Sequence, residues 1–325
     1  MIREKEVEIE EIPLILERIE EEVGKVVIGQ KDIIRDIFVS ILCEGHVLVE
    51  GVPGIAKTLI IESLARVLGC HSKRIQFTVD LLPTDITGIT VFNEKIKDFE
   101  VIKGPIFTNL LIADEINRSP PKTQSALLEA MQERKVSIGR VDYSLPRPFF
   151  VMATQNPIEQ SGVYPLPEAQ IDRFLFKLLI NYPKREEEEM ILENNVTIRN
   201  LSDYNLQSVL TPSVILSLQQ KVKEVYCSPH VKKYIVELVS LTRDKYFPYS
   251  KYILVGASPR ASISLFIASK AVALINGRNF VIPEDVKKVI HNVLRHRIIL
   301  SFEAEADKIN TDFIIDYLLK TVGAP

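Results

Sequence analysis

The stretch that decides the fold is Gly51-Val-Pro-Gly-Ile-Ala-Lys57-Thr58. An apolar run, Val47-Leu48-Val49, leads into it, and a segment with helical spacing follows it. A strand, a glycine-containing turn, Lys-Thr and a helix form the context of a phosphate-binding loop. Backbone N–H groups and the helix N-terminus would face the phosphates, with Lys57 at the terminal phosphates and the Thr58 hydroxyl on Mg²⁺. The stretch therefore predicts a nucleotide site.

The loop departs from the strict pattern G-x-x-x-x-G-K-[ST] at one position, because Ala56 stands where the last glycine belongs. An alanine fits there if its φ is already negative as the helix begins. An ordinary strand–turn–helix with an exposed lysine is the alternative that this stretch alone leaves open.

The composition bounds the class of protein. A chain of 325 residues is long enough for two domains, and 46% hydrophobic with 26% charged residues fits a soluble globular protein. The net charge of −3 does not indicate a surface that is basic overall, as nucleic-acid-binding proteins often have. It is still compatible with a local basic channel formed in a ring. No apolar run approaches the roughly 20 residues that cross a bilayer, and the charged N-terminus lacks an apolar signal core. We expect a cytoplasmic protein without a membrane span.

Cysteine and histidine give no sign of a metal site. Cys43, Cys70 and Cys227 are an odd number with no metal or disulfide spacing, so we expect reduced thiols. The five histidines match no zinc spacing.

Two carboxylates follow a second buried strand, in Asn109-Leu-Leu-Ile-Ala-Asp114-Glu115. Ligands of parallel sheets collect at the carboxyl ends of the strands. Asp114 is placed to hold Mg²⁺ through its water shell, and Glu115 is placed to polarise an attacking water. Two acids after an apolar strand are common, and their significance here is that they follow a phosphate loop. Ser119-Pro-Pro, just downstream, is typical of a capped helix start.

A third buried strand, Phe149 to Thr154, ends at Gln155-Asn156-Pro157. Asn156 would fall at the same edge of the sheet as Glu115, where an amide could orient water against the γ-phosphate. An Asn-Pro turn is compatible with this role.

Two pairs of short β-type runs predict hairpins. The first joins 89–92 to 99–102 through a polar loop, and the second joins 135–138 to 141–144. Upstream of the phosphate loop, residues 8 to 24 have the spacing of an acidic amphipathic helix. In the apolar segment that follows it, Ile28 would line the base of a nucleotide, and a core-forming linker is an equally good interpretation.

Arg173 precedes a further apolar strand, Leu175 to Ile180, and has two interpretations. It pairs with Glu168 or Asp172 on the surface, or it projects into the site of a neighbouring subunit. The residues alone do not separate them.

The pattern changes near Pro183, beyond which the sequence favours helices without clear strands. We predict an N-terminal helix (1–25), an α/β nucleotide-binding core (26–182) and a linker helix with a helical domain (183–325). Within the last part, Ser258 is a natural N-cap, which places Arg260 in the first turn of a helix. A cation there opposes the helix dipole, and this suggests an anionic ligand. An exposed arginine tolerated at a cost of about half a kcal/mol is the alternative.

With these residues identified, the chain resembles a MoxR-type AAA+ ATPase of the helix-2-insert clade over nearly its whole length. Five ordered segments carry the resemblance: Glu50-Gly-Val-Pro-Gly-Ile-Ala-Lys-Thr58, Ala113-Asp-Glu-Ile-Asn-Arg118, Gln124-Ser-Ala-Leu-Leu-Glu-Ala-Met-Gln-Glu133, Ala153-Thr-Gln-Asn-Pro157 and Pro165-Leu-Pro-Glu-Ala-Gln-Ile-Asp-Arg-Phe174. Alanine before the lysine is usual in that family.

The resemblance implies an α/β fold: an AAA+ αβα core with a parallel sheet and two β-hairpin inserts, a C-terminal all-helical lid, and assembly into a hexameric ring. It implies that Asp114 and Glu115 are Walker B, Asn156 is sensor 1, Arg173 is an arginine finger donated in trans, and Arg260 is sensor 2. The residues expected to contact ATP are Ile28, Val52, Pro53, Gly54, Ile55, Ala56, Lys57, Thr58 and Leu59, with Thr58 and Asp114 at Mg²⁺. Whether Arg260 acts in cis or in trans, and whether Arg118 contributes at the subunit interface, stay open.

The activity implied is ATP hydrolysis coupled to remodelling or maturation of protein partners, such as metalloenzymes, often with a von Willebrand factor A-domain protein. A DNA translocase is an alternative, but Lys95 and Lys97 at the first hairpin tip are balanced by Glu94 and Asp98. A slow nucleotide-gated scaffold is a third hypothesis, which the full set of hydrolytic residues disfavours.

Overall fold

The fold is built around a parallel sheet. The computed structural model describes residues 7–51, 57–95, 97–156, 163–194 and 201–325. The strands in this part of the chain are β1 (Val47–Gly51), β2 (Ser72–Gln76), β3 (Gly88–Asn93), β4 (Asp98–Lys103), β5 (Leu110–Asp114), β6 (Lys135–Ile138), β7 (Val141–Ser144), β8 (Phe150–Gln155), β9 (Phe176–Ile180), β10 (Ile253–Val255) and β11 (Ile299–Leu300). The main sheet has the order β2-β5-β8-β1-β9, and each neighbouring pair is parallel. The predicted parallel sheet is confirmed.

Helices cover both faces of this sheet. The described helices are α1 (Ile12–Gly24), α2 (Lys31–Leu42), α3 (Lys57–Val67), α4 (Pro83–Thr87), α5 (Pro121–Glu133), α6 (Glu168–Ile171), α7 (Arg185–Asn194), α8 (Pro212–Glu224), α9 (Pro229–Leu241), α10 (Pro259–Ile275), α11 (Pro283–Leu294), α12 (Phe302–Ala306) and α13 (Thr311–Thr321). Val47 and Val49 on β1 join one core with α1, α2, α3 and the C-terminal helices. Leu48 points to a second core with α4 and α5. Burial on both faces explains why these strands read as continuous apolar runs.

Both predicted hairpins are present. β3 pairs with β4 and β6 pairs with β7, each antiparallel. Phe92 lies opposite Phe99, with ring centroids 5.5 Å apart in a T-shaped arrangement. The two rings are 56% and 68% exposed, so this hairpin presents an apolar surface to its surroundings.

The chain after β9 is mainly helical and lies against the core. α10 packs on α1 and α2, and α11 packs on β9. The Ser258 hydroxyl accepts from the Arg260 N–H, which confirms the predicted N-cap of α10. β10 and β11 form a short antiparallel ribbon that the prediction of helices alone omits. These strands have three and two residues, too few for an alternating pattern in the sequence.

The helix predicted after Ser119-Pro-Pro is present, but the predicted cap by Ser119 is wrong. α5 begins at Pro121, and its N-cap residue, Pro120, makes no side-chain cap. The Ser119 hydroxyl donates instead to the Ile116 carbonyl at 3.3 Å, within the 3₁₀ turn Ile116–Arg118.

Two findings concern membranes and metals. Within the described ranges, no helix combines the length and apolar character needed to cross a bilayer. The same part of the chain brings no three His, Cys, Asp or Glu side chains into a metal-binding group.

Candidate nucleotide site

Three neighbouring strands end together at one edge of the sheet. β1 ends at Gly51, β5 at Asp114 and β8 at Gln155, and all three run in the same direction. This carboxyl edge is where ligands of parallel sheets bind. The predicted phosphate-loop residues Val52, Pro53, Gly54, Ile55 and Ala56 lie outside the described residues.

Lys57 is the first residue of α3, and its ammonium points back toward the sheet. Its Nζ donates to the Gly51 carbonyl at 2.8 Å. Burial lowers the pKa of Lys57, while the charges of Asp114 and Glu115 raise it. Lys57 follows the loop after β1, and both predicted carboxylates are at the end of β5, so all three lie at the same edge of the sheet.

Three of the other predicted contact residues lie in the described part of the chain. Thr58 and Leu59 occupy the first turn of α3 and are half-buried. Ile28 is half-buried between α1 and α2, and the preceding residues Val26 and Val27 are buried in the core. Their positions fit the predicted roles, which stay predictions.

Asp114 is held by two residues that the sequence analysis did not identify. The buried Thr154 hydroxyl donates to Asp114 Oδ1 at 2.5 Å and accepts from the Glu115 N–H at 2.9 Å. The Arg74 Nη2 donates to Asp114 Oδ2 at 2.5 Å. Thr154 thus orients both carboxylate residues from the neighbouring strand. A carboxylate and the Thr58 hydroxyl are oxygen donors of the kind that Mg²⁺ takes, so these residues fit a magnesium site.

Glu115 has an unusual backbone and two side-chain partners. Its φ of 56° and ψ of 50° lie in the left-handed region, which costs a residue with a Cβ about 1–2 kcal/mol. Glu115 Oε2 accepts from Gln76 Nε2 at 2.8 Å and pairs with Arg118 Nε at 3.0 Å. The carboxylate is therefore held between Gln76 on β2 and Arg118 at the end of the 3₁₀ turn.

Asn156 follows the last residue of β8 and is 8% exposed. Because β8 lies beside β5, Asn156 is at the same edge as Glu115. The predicted grouping of Lys57, Asp114, Glu115 and Asn156 is thus present as geometry.

Arg173 and Arg260 lie at the opposite edge of the sheet. Arg173 precedes β9, whose first residue pairs in register with the first residue of β1. The five residues of β1 rise about 3.3 Å each, so the two edges are on the order of 13 Å apart. Arg173 and Arg260 therefore do not lie beside Asp114 and Glu115 of their own chain.

Asp172 links two arginines at this amino edge, Arg260 and Arg297. Arg260 Nη1 lies 3.4 Å from Asp172 Oδ2, and Arg297 Nε donates to Asp172 Oδ1 at 2.7 Å. The Arg173 side chain is exposed and has no hydrogen-bond or ion-pair partner among the residues that the structure describes. The first of the two interpretations of Arg173, a surface pair with Glu168 or Asp172, is therefore not observed. Arg173, Arg260 and Arg297 line one cavity of about 210 Å³.

Comparisons with known proteins decide the family. Residues 46–176 match the model of the "ATPase family associated with various cellular activities (AAA)", and residues 250–317 match the "AAA lid domain". Chaperone MoxR1 of Mycobacterium tuberculosis is 46% identical over 95% of this chain and 82% of its own length. Protein YeaC of Bacillus subtilis, itself uncharacterized, is 42% identical over 97% of both chains. A solved structure of a candidate ATPase from Cytophaga hutchinsonii is 44% identical, covers 97% of this chain and 96% of its own, and superposes with a TM-score of 0.88.

The chain belongs to the MoxR family of AAA+ ATPases. Membership of this ATPase family implies nucleotide binding and ATP hydrolysis in general terms. The fold expected of a MoxR-type protein, a parallel αβα core with a helical lid, is confirmed. The two family models leave 177–249 between them, so the predicted domain limits at 25 and 182 stay predictions.

Proposed function

We propose that this MoxR-type protein is a Mg²⁺-dependent ATPase that works as a hexameric ring, with each hydrolysis centre shared by two protomers. The observation that carries this proposal is the separation of the two edges of the sheet. Lys57, Asp114 and Glu115 lie at the carboxyl edge, and Arg173 with Arg260 lies at the amino edge. A single chain therefore holds parts of two different centres.

At the carboxyl edge, the residues divide the work of in-line attack by water. Lys57 binds the terminal phosphates, and Asp114 with Thr58 would hold Mg²⁺, which would supply positive charge to neutralise the phosphates. Glu115 accepts a proton from the attacking water, and the Asn156 amide orients that water. The contacts of Glu115 with Gln76 and Arg118 must loosen before its carboxylate can reach a water beside the γ-phosphate.

At the amino edge, two arginines are available to a neighbouring protomer. Arg173 is exposed and has no side-chain partner within the described part of the chain, as a residue that binds the triphosphate of another subunit requires. Arg260 pairs with Asp172, the residue before Arg173, and lines the same cavity as Arg173, and this location supports action in trans for both. An arginine supplied in trans contributes about 10³-fold or more to phosphoryl transfer.

The exposed surface of the β3–β4 hairpin favours proteins as the partners on which the ATPase acts. The exposed Phe92–Phe99 pair offers apolar contact area of the kind that protein interfaces use. On the same hairpin, Glu94, Asp98 and Glu100 balance Lys95, Lys97 and Lys103, so the hairpin has no net positive charge with which to bind a phosphate backbone. We therefore favour ATP-driven remodelling or maturation of proteins, including a von Willebrand factor A-domain partner, over DNA translocation. Stimulation of ATP turnover by DNA with a steep salt dependence would reverse that preference.

The shared centre is tested by mixing subunits. Lys57→Ala and Arg173→Ala chains should each lose at least about 100-fold in ATP turnover. A one-to-one mixture should recover roughly a quarter of wild-type turnover, because a quarter of its interfaces combine an intact Lys57 with an intact Arg173.

The matched control is a mixture of Lys57→Ala with Glu115→Gln chains. Both changes damage the carboxyl edge, so no interface in this mixture is complete and no recovery should occur. Equal recovery in both mixtures, or none in the first while mass measurements show mixed rings, would contradict the shared centre.

A further inference from the structure

The Arg297 guanidinium is nearly sealed from solvent and uses every N–H it has. The side chain is 2% exposed. Its Nε donates to Asp172 Oδ1 at 2.7 Å, and one Nη1 contact goes to the Val293 carbonyl at 2.6 Å. The remaining contacts reach the Asp172, Phe174 and Leu175 carbonyls, at 3.2, 2.7 and 3.1 Å. Four of the five contacts therefore fall on residues 172–175.

The residues that these four contacts reach lie directly before and after Arg173 in the sequence. The carbonyls before and after Arg173, those of Asp172 and Phe174, are both fixed by the same guanidinium group. His296 Nε2 also donates to the Phe174 carbonyl, at 3.0 Å. A buried planar donor with several fixed acceptors restricts the backbone far more than a surface ion pair does.

The same contacts keep the Arg173 side chain free. A carboxylate next to an arginine is its natural partner, but Asp172 is already engaged on both oxygens, by Arg297 and by Arg260. Arg173 consequently extends into solvent without an intrachain acceptor among the described residues.

Arg297 and Arg260 both belong to the C-terminal helical region. Arg297 follows α11, Arg260 lies in the first turn of α10, and these two helices pack on each other. A movement of this region against the sheet must carry both arginines with it. The 172–175 segment, by contrast, belongs to the core.

We propose that Arg297 is a positioning residue for Arg173, through which the helical lid sets the presentation of the arginine finger to the next protomer. This inference rests on the proposed role of Arg173 in trans. It adds that the position of the lid in one protomer controls ATP hydrolysis at the site of its neighbour.

The test is Arg297→Lys, which keeps the charge and loses the planar fork. Displacement of a catalytic group by about 1 Å can cost about 100-fold, so kcat should fall about 10- to 100-fold. The KM for ATP and nucleotide binding should change less than about twofold, because Lys57 lies at the other edge of the sheet. Arg295→Lys is the matched control: Arg295 donates to the Lys177 carbonyl inside β9 and pairs with Asp312, away from 172–175. It should lose comparable thermal stability and keep its turnover.

Mixed rings separate positioning from general damage. In a one-to-one mixture of Arg297→Lys and Lys57→Ala chains, ATP turnover should rise to roughly a quarter of the wild-type value. The Lys57→Ala chain supplies a well-placed Arg173 to its neighbour. In a mixture of Arg297→Lys and Arg173→Ala chains, ATP turnover should not exceed that of rings made of Arg297→Lys chains alone. Equal behaviour of the two mixtures, or equal losses in Arg295→Lys and Arg297→Lys, would overturn the positioning role.

A second variant, Asp172→Asn, tests the inference independently in case Arg297→Lys folds poorly. Asp172→Asn keeps the side-chain volume and should show the same split between kcat and KM, with a smaller loss. A folded Asp172→Asn ring with wild-type kcat would also overturn the inference. Failure of Lys57→Ala and Arg173→Ala to complement would instead reject the shared centre itself.

Discussion

The two edges of the sheet are assembled in different ways. At the carboxyl edge, the contacts join neighbouring strand ends of the core, as when Thr154 on β8 binds Asp114 on β5. At the amino edge, Asp172 meets Arg260 and Arg297, which lie 88 and 125 residues away in the C-terminal region. Asp114 is thus held by contacts within the core, whereas Asp172, next to Arg173, is held by the C-terminal region, through which we propose that the lid sets the presentation of Arg173. An ATPase built this way can bind nucleotide in every subunit and still control hydrolysis through the neighbour.

The largest effect is expected at the carboxyl edge itself. Glu115→Gln should lower kcat by about 10²- to 10⁴-fold, because an amide cannot accept the proton of the attacking water. ATP binding, measured by fluorescent-nucleotide titration, should stay within about threefold of wild type. Unchanged turnover would remove Glu115 from the mechanism.

The control for that change is Glu129→Gln, on the exposed side of α5. It makes the same chemical substitution away from the sheet edge. Turnover of this variant should equal that of wild type.

A smaller effect is expected from the buried hydroxyl that orients both carboxylates. Thr154→Val removes a donor to Asp114 and an acceptor for the Glu115 N–H while keeping the shape, and should destabilise the fold by about 1–3 kcal/mol. We expect turnover to fall about tenfold and the Mg²⁺ concentration at half-maximal rate to rise.

Thr123→Val is its matched control. The buried Thr123 hydroxyl donates to the Leu81 carbonyl at 2.7 Å and makes no hydrogen bond to Asp114 or Glu115. A similar stability loss with wild-type turnover would locate the Thr154 effect in the site. Equal turnover in both variants would contradict it.

The smallest effect concerns a core–lid contact away from both edges. Asn292 on α11 donates to Asp36 on α2 at 2.7 Å. Burial raises the pKa of Asp36 to about 7, with the Asp32 charge adding to the rise and Arg35 and Arg295 opposing it. The folded chain therefore keeps a proton that the unfolded chain loses near pH 4, and stability should fall as pH rises from about 4 to 7.

Asp36→Asn removes this dependence. The stability advantage of Asp36→Asn over wild type should be about 2–3 kcal/mol larger at pH 8 than at pH 5, measured as the free energy of unfolding in denaturant. ATP turnover should be unaffected, since Asp36 touches neither edge. A pH-independent difference between the two proteins would contradict the raised pKa.

Most of the carboxyl edge could be predicted because its signals are local. Lys57 follows a glycine-containing turn, and Asp114 and Glu115 follow an apolar run, so the parallel-strand rule places them together. Thr154 was missed although it is a polar residue at the end of an otherwise apolar strand, which is a usable signal. Gln76 alternates with apolar residues on an edge strand, and only the register shows that it lies opposite Asp114.

The amino edge could be predicted only in part. The motif around Arg173 marks that residue, and the N-cap Ser258 places Arg260 in a first turn. Arg297 carries no such signal, because most of its partners are backbone carbonyls more than 120 residues away. Contacts of this kind depend on tertiary packing and leave no periodicity in the sequence.

The central claim is that each hydrolysis centre needs two protomers. The most direct measurement is ATP turnover per chain during dilution, with the assembly state followed by mass photometry at saturating ATP. Turnover should fall in step with loss of the assembly, and the ATP-bound monomer should retain about a thousandth of the assembled rate or less. A monomer that hydrolyses ATP at the assembled rate would contradict it.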